Sequence, residues 1–214
     1  MEIIAYAVFL TNLLVAQGFL ELKQEGIQRN MEMCKKLAKD PYFETDLVIG
    51  KPWRIYYTWN MKIDTRCLDI VFKNATPAII HRIWTDMYDY LEQQPYWESA
   101  ALHVTTGAAR HEMLLFPAQG AAGGFLAVPN VVRLGDISPM RNGVPLLMFQ
   151  LKLVRHGKYL VMMDCHVGVI SLSARSNHTP YRSEIAAAVT ELDMGDGFPA
   201  CTQEKNKEEQ FFVK

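Results

Sequence analysis

Gly50-Lys51-Pro52-Trp53-Arg54-Ile55-Tyr56-Tyr57-Thr58-Trp59 is the stretch that decides how this chain folds. Aromatic and β-branched residues following a Gly/Pro break favour an extended strand. Alternation puts Trp53, Ile55, Tyr57 and Trp59 on one face and Arg54, Tyr56, Thr58 and Asn60 on the other, as a half-buried strand requires. Much later, Ser171-Leu172-Ser173-Ala174-Arg175 ends another strand on a cation. Gly50, a tryptophan opening the first strand and an arginine closing the last are the parts with which a small closed β-barrel seals one end. Arg175 is expected to lie over the indole of Trp53 in a cation–π contact. A barrel sealed in this way reads as a container rather than a catalyst.

Outward from these two segments, short aromatic and β-branched runs recur between Gly, Pro, Asn and Asp breaks. They predict strands near residues 52–61, 67–73, 79–91, 96–106, 111–116, 146–155, 159–166 and 168–175. Leu147, Phe149, Leu151 and Leu153 oppose Met148, Gln150, Lys152 and Val154, and the more apolar face should point inward. The expected fold is all-β, a single eight-stranded antiparallel up-and-down β-barrel with one C-terminal α-helix packed outside. The helix is placed near 180–192: Thr179 and Pro180 suit a cap and first turn, and Ile185, Val189 and Leu192 recur at helical spacing. Glycines and prolines punctuate residues 118–143, which read as a long connection holding an irregular hairpin.

Residues 3–15 are apolar except for Thr11 and Asn12 and match the length of a secretory signal better than that of a bilayer span. With small residues at Ala16 and Gly18, residues 1–18 read as a signal peptide, residues 19–49 as a lead-in segment, residues 50–201 as the barrel domain and residues 202–214 as a flexible charged tail. Removing residues 1–18 takes away one acid, Glu2, and leaves acids and bases balanced, which argues against electrostatic binding to nucleic acid. No later segment is long and apolar enough for a membrane helix. Four cysteines, Cys34, Cys67, Cys165 and Cys201, fit two disulfides in an oxidising compartment, and their spacing is not that of a zinc site. Spacing alone leaves three pairings open. Asn74-Ala75-Thr76 and Asn177-His178-Thr179 are acceptor triplets for glycosylation.

The order of these elements resembles the lipocalin family, and more particularly the insect bilin-binding and apolipoprotein D type. Gly50 and Trp53 resemble the family's opening Gly-x-Trp with one extra residue, Pro52. Tyr159-Leu160-Val161-Met162-Met163-Asp164-Cys165 is similar to its penultimate strand and Ser171-Leu172-Ser173-Ala174-Arg175-Ser176 to its last. Phe198-Pro199-Ala200-Cys201 resembles the segment that follows the helix. The resemblance implies disulfides Cys34–Cys165 and Cys67–Cys201. It also implies a secreted, extracellular carrier of a small hydrophobic molecule, such as a pigment, tetrapyrrole, lipid or retinoid-like compound. No cofactor is required by this reading, although bilin, haem or lipid would be the bound species.

The ligand would meet the apolar strand faces, for which Tyr57, Trp59, Trp84, Tyr88, Phe149, Leu151 and Met162 are the candidates. His81, His103, His111 and His166 are the groups able to reach haem iron or a tetrapyrrole carboxylate, and their spacing singles none of them out. Asp86, Asp89 and Glu92 form no acid–base pair, no nucleophile or metal motif occurs, and an enzyme is not expected. The alternative reading is a secreted interaction module. In it the barrel is a scaffold and the loops around 93–97 and 119–143 contact another protein or a second copy.

Overall fold

The computed structural model describes residues 25–63, 67–107, 111–120, 122–134 and 141–201. The signal segment 1–18 and the tail 202–214 lie outside the described residues, as do residues 19–24 of the lead-in. Eight strands close on themselves: β1 (Trp53–Trp59), β2 (Asp69–Asn74), β3 (Leu102–Thr106), β4 (His111–Pro117), β5 (Gly124–Pro129), β6 (Leu147–Val154), β7 (Tyr159–Asp164) and β8 (Ile170–Arg175). Each pairs antiparallel with the next, and β1 pairs with both β8 and β2, so the ring has no free edge. A two-residue strand, β9 (Phe198–Pro199), adds to β1 outside the ring at Tyr57 and Thr58.

The count of eight matches the expectation, but its membership does not. Residues 79–91, read as a strand, form a helix, α3 (Pro77–Met87). Thr76 caps it by accepting from the Ile79 amide at 3.4 Å, and Pro77 occupies the first turn, where its missing N–H costs nothing. Ile83 and Met87, four residues apart, are buried on one stripe against Leu114, Phe116 and Val128 of the outer barrel wall. The eighth strand is β5, within the segment read as an irregular connection. It pairs regularly with β4 and β6. Gly123 permits this: its φ is +76°, and a Cβ there would lie 2.0 Å from the Leu151 carbonyl oxygen.

Helices lie on the remaining outer surface and at one end. Residues 25–37 form α1, Thr45–Val48 a single turn α2, and Arg182–Leu192 the expected C-terminal helix α4. In α4 the Glu184 carboxylate accepts the Tyr181 amide at 3.0 Å. Leu37 of α1 and Ala188 of α4 are buried against Tyr159, Val161, Leu172 and Ala174 on the outer face of β7 and β8. Disulfides join Cys34 to Cys165 and Cys67 to Cys201, the pairing implied by the resemblance. They close loops of 131 and 134 residues, and the chain-entropy model assigns roughly 3–5 kcal/mol to each.

Candidate functional site

One end of the barrel is shut by the chain that leads into β1. Tyr42 accepts the Leu153 amide at 2.8 Å, and Phe43 meets Phe125 edge-on with ring centres 5.4 Å apart. The α2 turn then crosses below the strands and buries Val48 completely. Trp53 fills this floor, its indole N–H donating to the Val48 carbonyl at 2.9 Å. The Arg175 guanidinium lies 4.1 Å from the ring centre of Trp53. Its donors go to the main-chain carbonyls of Leu47, Val48, Ile49 and Lys51. Gly50, at φ +102°, turns the chain into the strand, its amide 3.4 Å from the Phe72 carbonyl oxygen.

Above the floor the inner face is apolar. Phe149, Leu151 and Met162 join Ile55, Phe72, Val104, Leu115, Phe125 and Leu160 in one cluster. Exposure is zero at Trp53, Phe72, Leu151 and Leu160, and it reappears higher up at Phe149 (8%), Met162 (7%) and Ser171 (9%). Leu147, Met113 and Thr106, nearer the opposite end, are half-buried. A small pocket of about 120 Å³ lies on the rim there, lined by Thr106, His111, Glu112, Met113, Pro129, Asn130, Val131 and Leu147. The interior is therefore sealed below, and its side chains become more exposed towards the other end.

The structure does not bring Tyr57, Trp59, Trp84 and Tyr88 into this interior. Simple alternation fails in β1 because its register against β8 shifts between Ile55 and Tyr57. The extra residue, Tyr56, reverses the faces of everything after it. Trp53 and Ile55 point inward, whereas Tyr57 and Trp59 pack with the outer cluster. There Trp59 donates to the Gly195 carbonyl at 3.0 Å, and the Tyr57 hydroxyl accepts the Gly197 amide at 3.1 Å. Trp84 and Tyr88 sit on α3, outside the barrel and exposed. Trp84 stacks on His81 and contacts Tyr88. Together with Pro77, Ile80, Trp97 and Glu98, His81 and Trp84 line an external groove of about 620 Å³.

The histidines separate as well. His111 is exposed at the start of β4, and His166 is exposed in the turn between β7 and β8. His103 alternates outward from β3, where it meets a buried carboxylate beneath α3. Glu112, whose side chain is 2% exposed, accepts from both nitrogens of the Arg82 fork at 2.5 and 2.8 Å and from Arg133 at 3.0 Å. Asn130 also donates to it at 3.0 Å, and His103 Nε2 lies 2.8 Å away. Burial pushes this carboxyl upward. Hydrogen bonds from Arg82, His103 and Arg133 outweigh that effect and hold its pKa at about 2, below the ordinary 4.5. The cluster ties α3 to the outer face of the wall, and its Glu112 and Asn130 also border the rim pocket.

Residues that alternation in β1 and β6 did not reveal complete the interior: Phe125 and Ala127 from β5, Phe72 from β2, and Ser171 and Ser173 from β8. The period of two in Phe125-Leu126-Ala127-Val128 carried that signal, and the surrounding glycines obscured it. Asn74 and Asn177 are both exposed. Among the described residues no helix is long and apolar enough to cross a membrane, and no three His, Cys, Asp or Glu side chains form a metal-binding group. Comparison of the chain with protein-family models, with curated proteins and with solved structures finds no match.

Proposed function

We propose that this chain is a secreted, lipocalin-like carrier that holds a small hydrophobic molecule inside its barrel. One observation carries the reading: the apolar inner face is shut by Trp53, Arg175 and α2 at one end, and its exposure rises towards the other. Phe149, Leu151 and Met162 would line the ligand, and burial there contributes roughly 25 cal/mol per Å² of apolar area. The two disulfides suit an oxidising compartment, and the exposed Asn74 and Asn177 would accept glycans. A pigment, tetrapyrrole, lipid or retinoid-like compound fits this description. The visible absorption spectrum of natively purified protein separates haem or bilin from colourless ligands.

The test uses the disulfide-bonded protein and the uncharged fluorophore phenylnaphthylamine. Wild type takes up the dye, and Met162→Trp, which fills the upper interior, weakens uptake by about tenfold or more. Trp84→Ala, on the outer helix, leaves it unchanged. No dye uptake by folded wild type, or uptake indifferent to Met162→Trp, overturns the reading.

The external groove on α3 favours a second reading, in which the barrel is a scaffold and this face engages another protein or a second copy. It takes in Trp97, at the end of the 93–97 loop. Shortening residues 119–143 is no test of it, because that deletion removes β5 from the barrel. Trp84→Glu is the suitable variant: a partner captured by wild type and lost by this variant, with dye uptake intact, supports the second reading. Capture that is equal for both proteins removes the groove from it.

A further inference from the structure

Two of the four tryptophans, Trp53 and Trp59, are fully buried. The other two, Trp84 and Trp97, both line the external groove of about 620 Å³, whose walls are α3 and the one-turn 3-10 helix Trp97–Ser99. Along α3, His81, Trp84 and Tyr88 follow at spacings of three and four residues and form a row of rings with centres 5.6 and 5.3 Å apart. Tyr96, which leads into the other wall, is 70% exposed. Tryptophan and tyrosine gathered on one face with few charges is the composition of a protein interface core rather than of a solvated surface.

The polar groups of this face are sorted. Arg82 and Asp86 of α3 are taken up by Glu112 and Asn130 at the barrel wall. Among the residues that line the groove, only His81 and Glu98 can carry charge, and they stand on opposite walls, His81 on α3 and Glu98 on the Trp97–Ser99 turn. The Tyr96 hydroxyl donates to Glu98 Oε2 at 2.6 Å, and Glu98 Oε1 accepts from none of the described residues. The His81 ring stacks on Trp84, and its nitrogens have no hydrogen-bond partner among the described residues. A protein that covers this face must therefore bring a donor for Glu98, an acceptor for His81 and an apolar ring for the groove. The face itself carries all three, in His81, Glu98 and Tyr96, and such self-complementarity is what a two-fold interface requires.

Resting on the second reading of this face, we infer that its occupant is a second copy of this chain, docked through the groove about a two-fold axis. The axis lays α3 of each copy along the Trp97–Ser99 turn of the other. Tyr96 of each copy then enters the other's groove beside Trp84, and His81 of each donates to Glu98 of the other, so the pair occurs twice. Because α3 packs on the outer wall, the dimer leaves the interior of each barrel as it is.

Sedimentation velocity of the full disulfide-bonded chain at neutral pH, over a series of protein concentrations, tests this. Wild type is expected to sediment as a concentration-dependent dimer. Trp84→Glu should weaken dimerisation by about a hundredfold or more, because a buried ring is exchanged for a charge that needs water. His81→Glu and Glu98→His should each weaken it by about tenfold, since either change acts twice across a two-fold axis. Combining His81→Glu with Glu98→His rebuilds the pair in reverse, and dimerisation should return to within about threefold of wild type. All three positions are exposed in the single chain, and circular dichroism checks that each variant is folded. A monomeric wild type, a dimer indifferent to Trp84→Glu, or a double variant no tighter than the two single ones would each overturn the inference. A monomeric wild type leaves the second reading to the capture comparison of wild type with Trp84→Glu, and equal capture there removes that reading as well.

Discussion

Trp53→Ala destabilises the protein by about 3–5 kcal/mol and lowers its thermal midpoint by about 10 °C or more. Trp53 is fully buried at the floor, and three things are lost with it. The indole no longer fills the space between α2 and the strands, its hydrogen bond to the Val48 carbonyl disappears, and Arg175 loses the ring 4.1 Å beneath it. The surrounding strands cannot collapse into the gap, since a closed ring fixes their spacing. Trp84→Ala, which removes the same side chain from an exposed helix face, costs less than about 1 kcal/mol. Urea unfolding of both variants checks the contrast. If the two costs agree within about 1 kcal/mol, Trp53 is not the seal. The seal should also show coupling: the cost of Arg175→Ala shrinks when Trp53 is already absent, because the stacked pair is then gone.

Acid weakens the wild type and spares a variant that lacks the Glu112 charge. The folded carboxyl titrates at about 2, against about 4.5 when unconstrained. Its stabilising contribution is therefore fully present above pH 4.5 and is lost as pH falls from there through 2. Arg82 and Arg133 are partly exposed and re-solvate when released, so the contribution is set at about 2 kcal/mol, below the full linkage value. Glu112→Gln keeps the shape and removes the charge, and at neutral pH it costs about 2 kcal/mol. Unfolding midpoints at pH 6 and pH 3 should converge between the two proteins as pH drops. A gap that stays constant across that range contradicts the assignment. Because α3 is held to the wall by this cluster, protection of its amides from hydrogen exchange should fall in the same window.

Much of the barrel was legible along the chain because its signals are local. Alternation in 147–153 identified the inward face of β6, and with it Phe149 and Leu151. Breaks at Gly, Asn and Asp marked the ends of β7 and β8. Ile185, Val189 and Leu192 at helical spacing announced α4, although its N-cap is Tyr181 and Thr179-Pro180, read as cap and first turn, lie before it. A threonine cap and first-turn proline do stand at Thr76-Pro77, and Ile79, Ile83 and Met87 follow at helical spacing, so α3 was also legible. Its aromatic and β-branched residues outweighed that pattern, because strand propensity reflects a half-buried surface and the groove side of α3 supplies one.

The residue sequence by itself determined that Trp53 opens a strand, that Arg175 closes one, and that four cysteines accompany a chain with alternating apolar faces. These follow from properties of neighbouring residues, and period and break residues record them directly. Which side of the wall each aromatic residue occupies was decided only in three dimensions. One bulged residue at Tyr56 sends Tyr57 and Trp59 outward, and packing against β4 and β5 makes a helix of the segment bearing Trp84 and Tyr88. The convergence of Arg82, His103, Asn130 and Arg133 on Glu112 arises likewise from residues distant along the chain, whose distances only the closed ring sets.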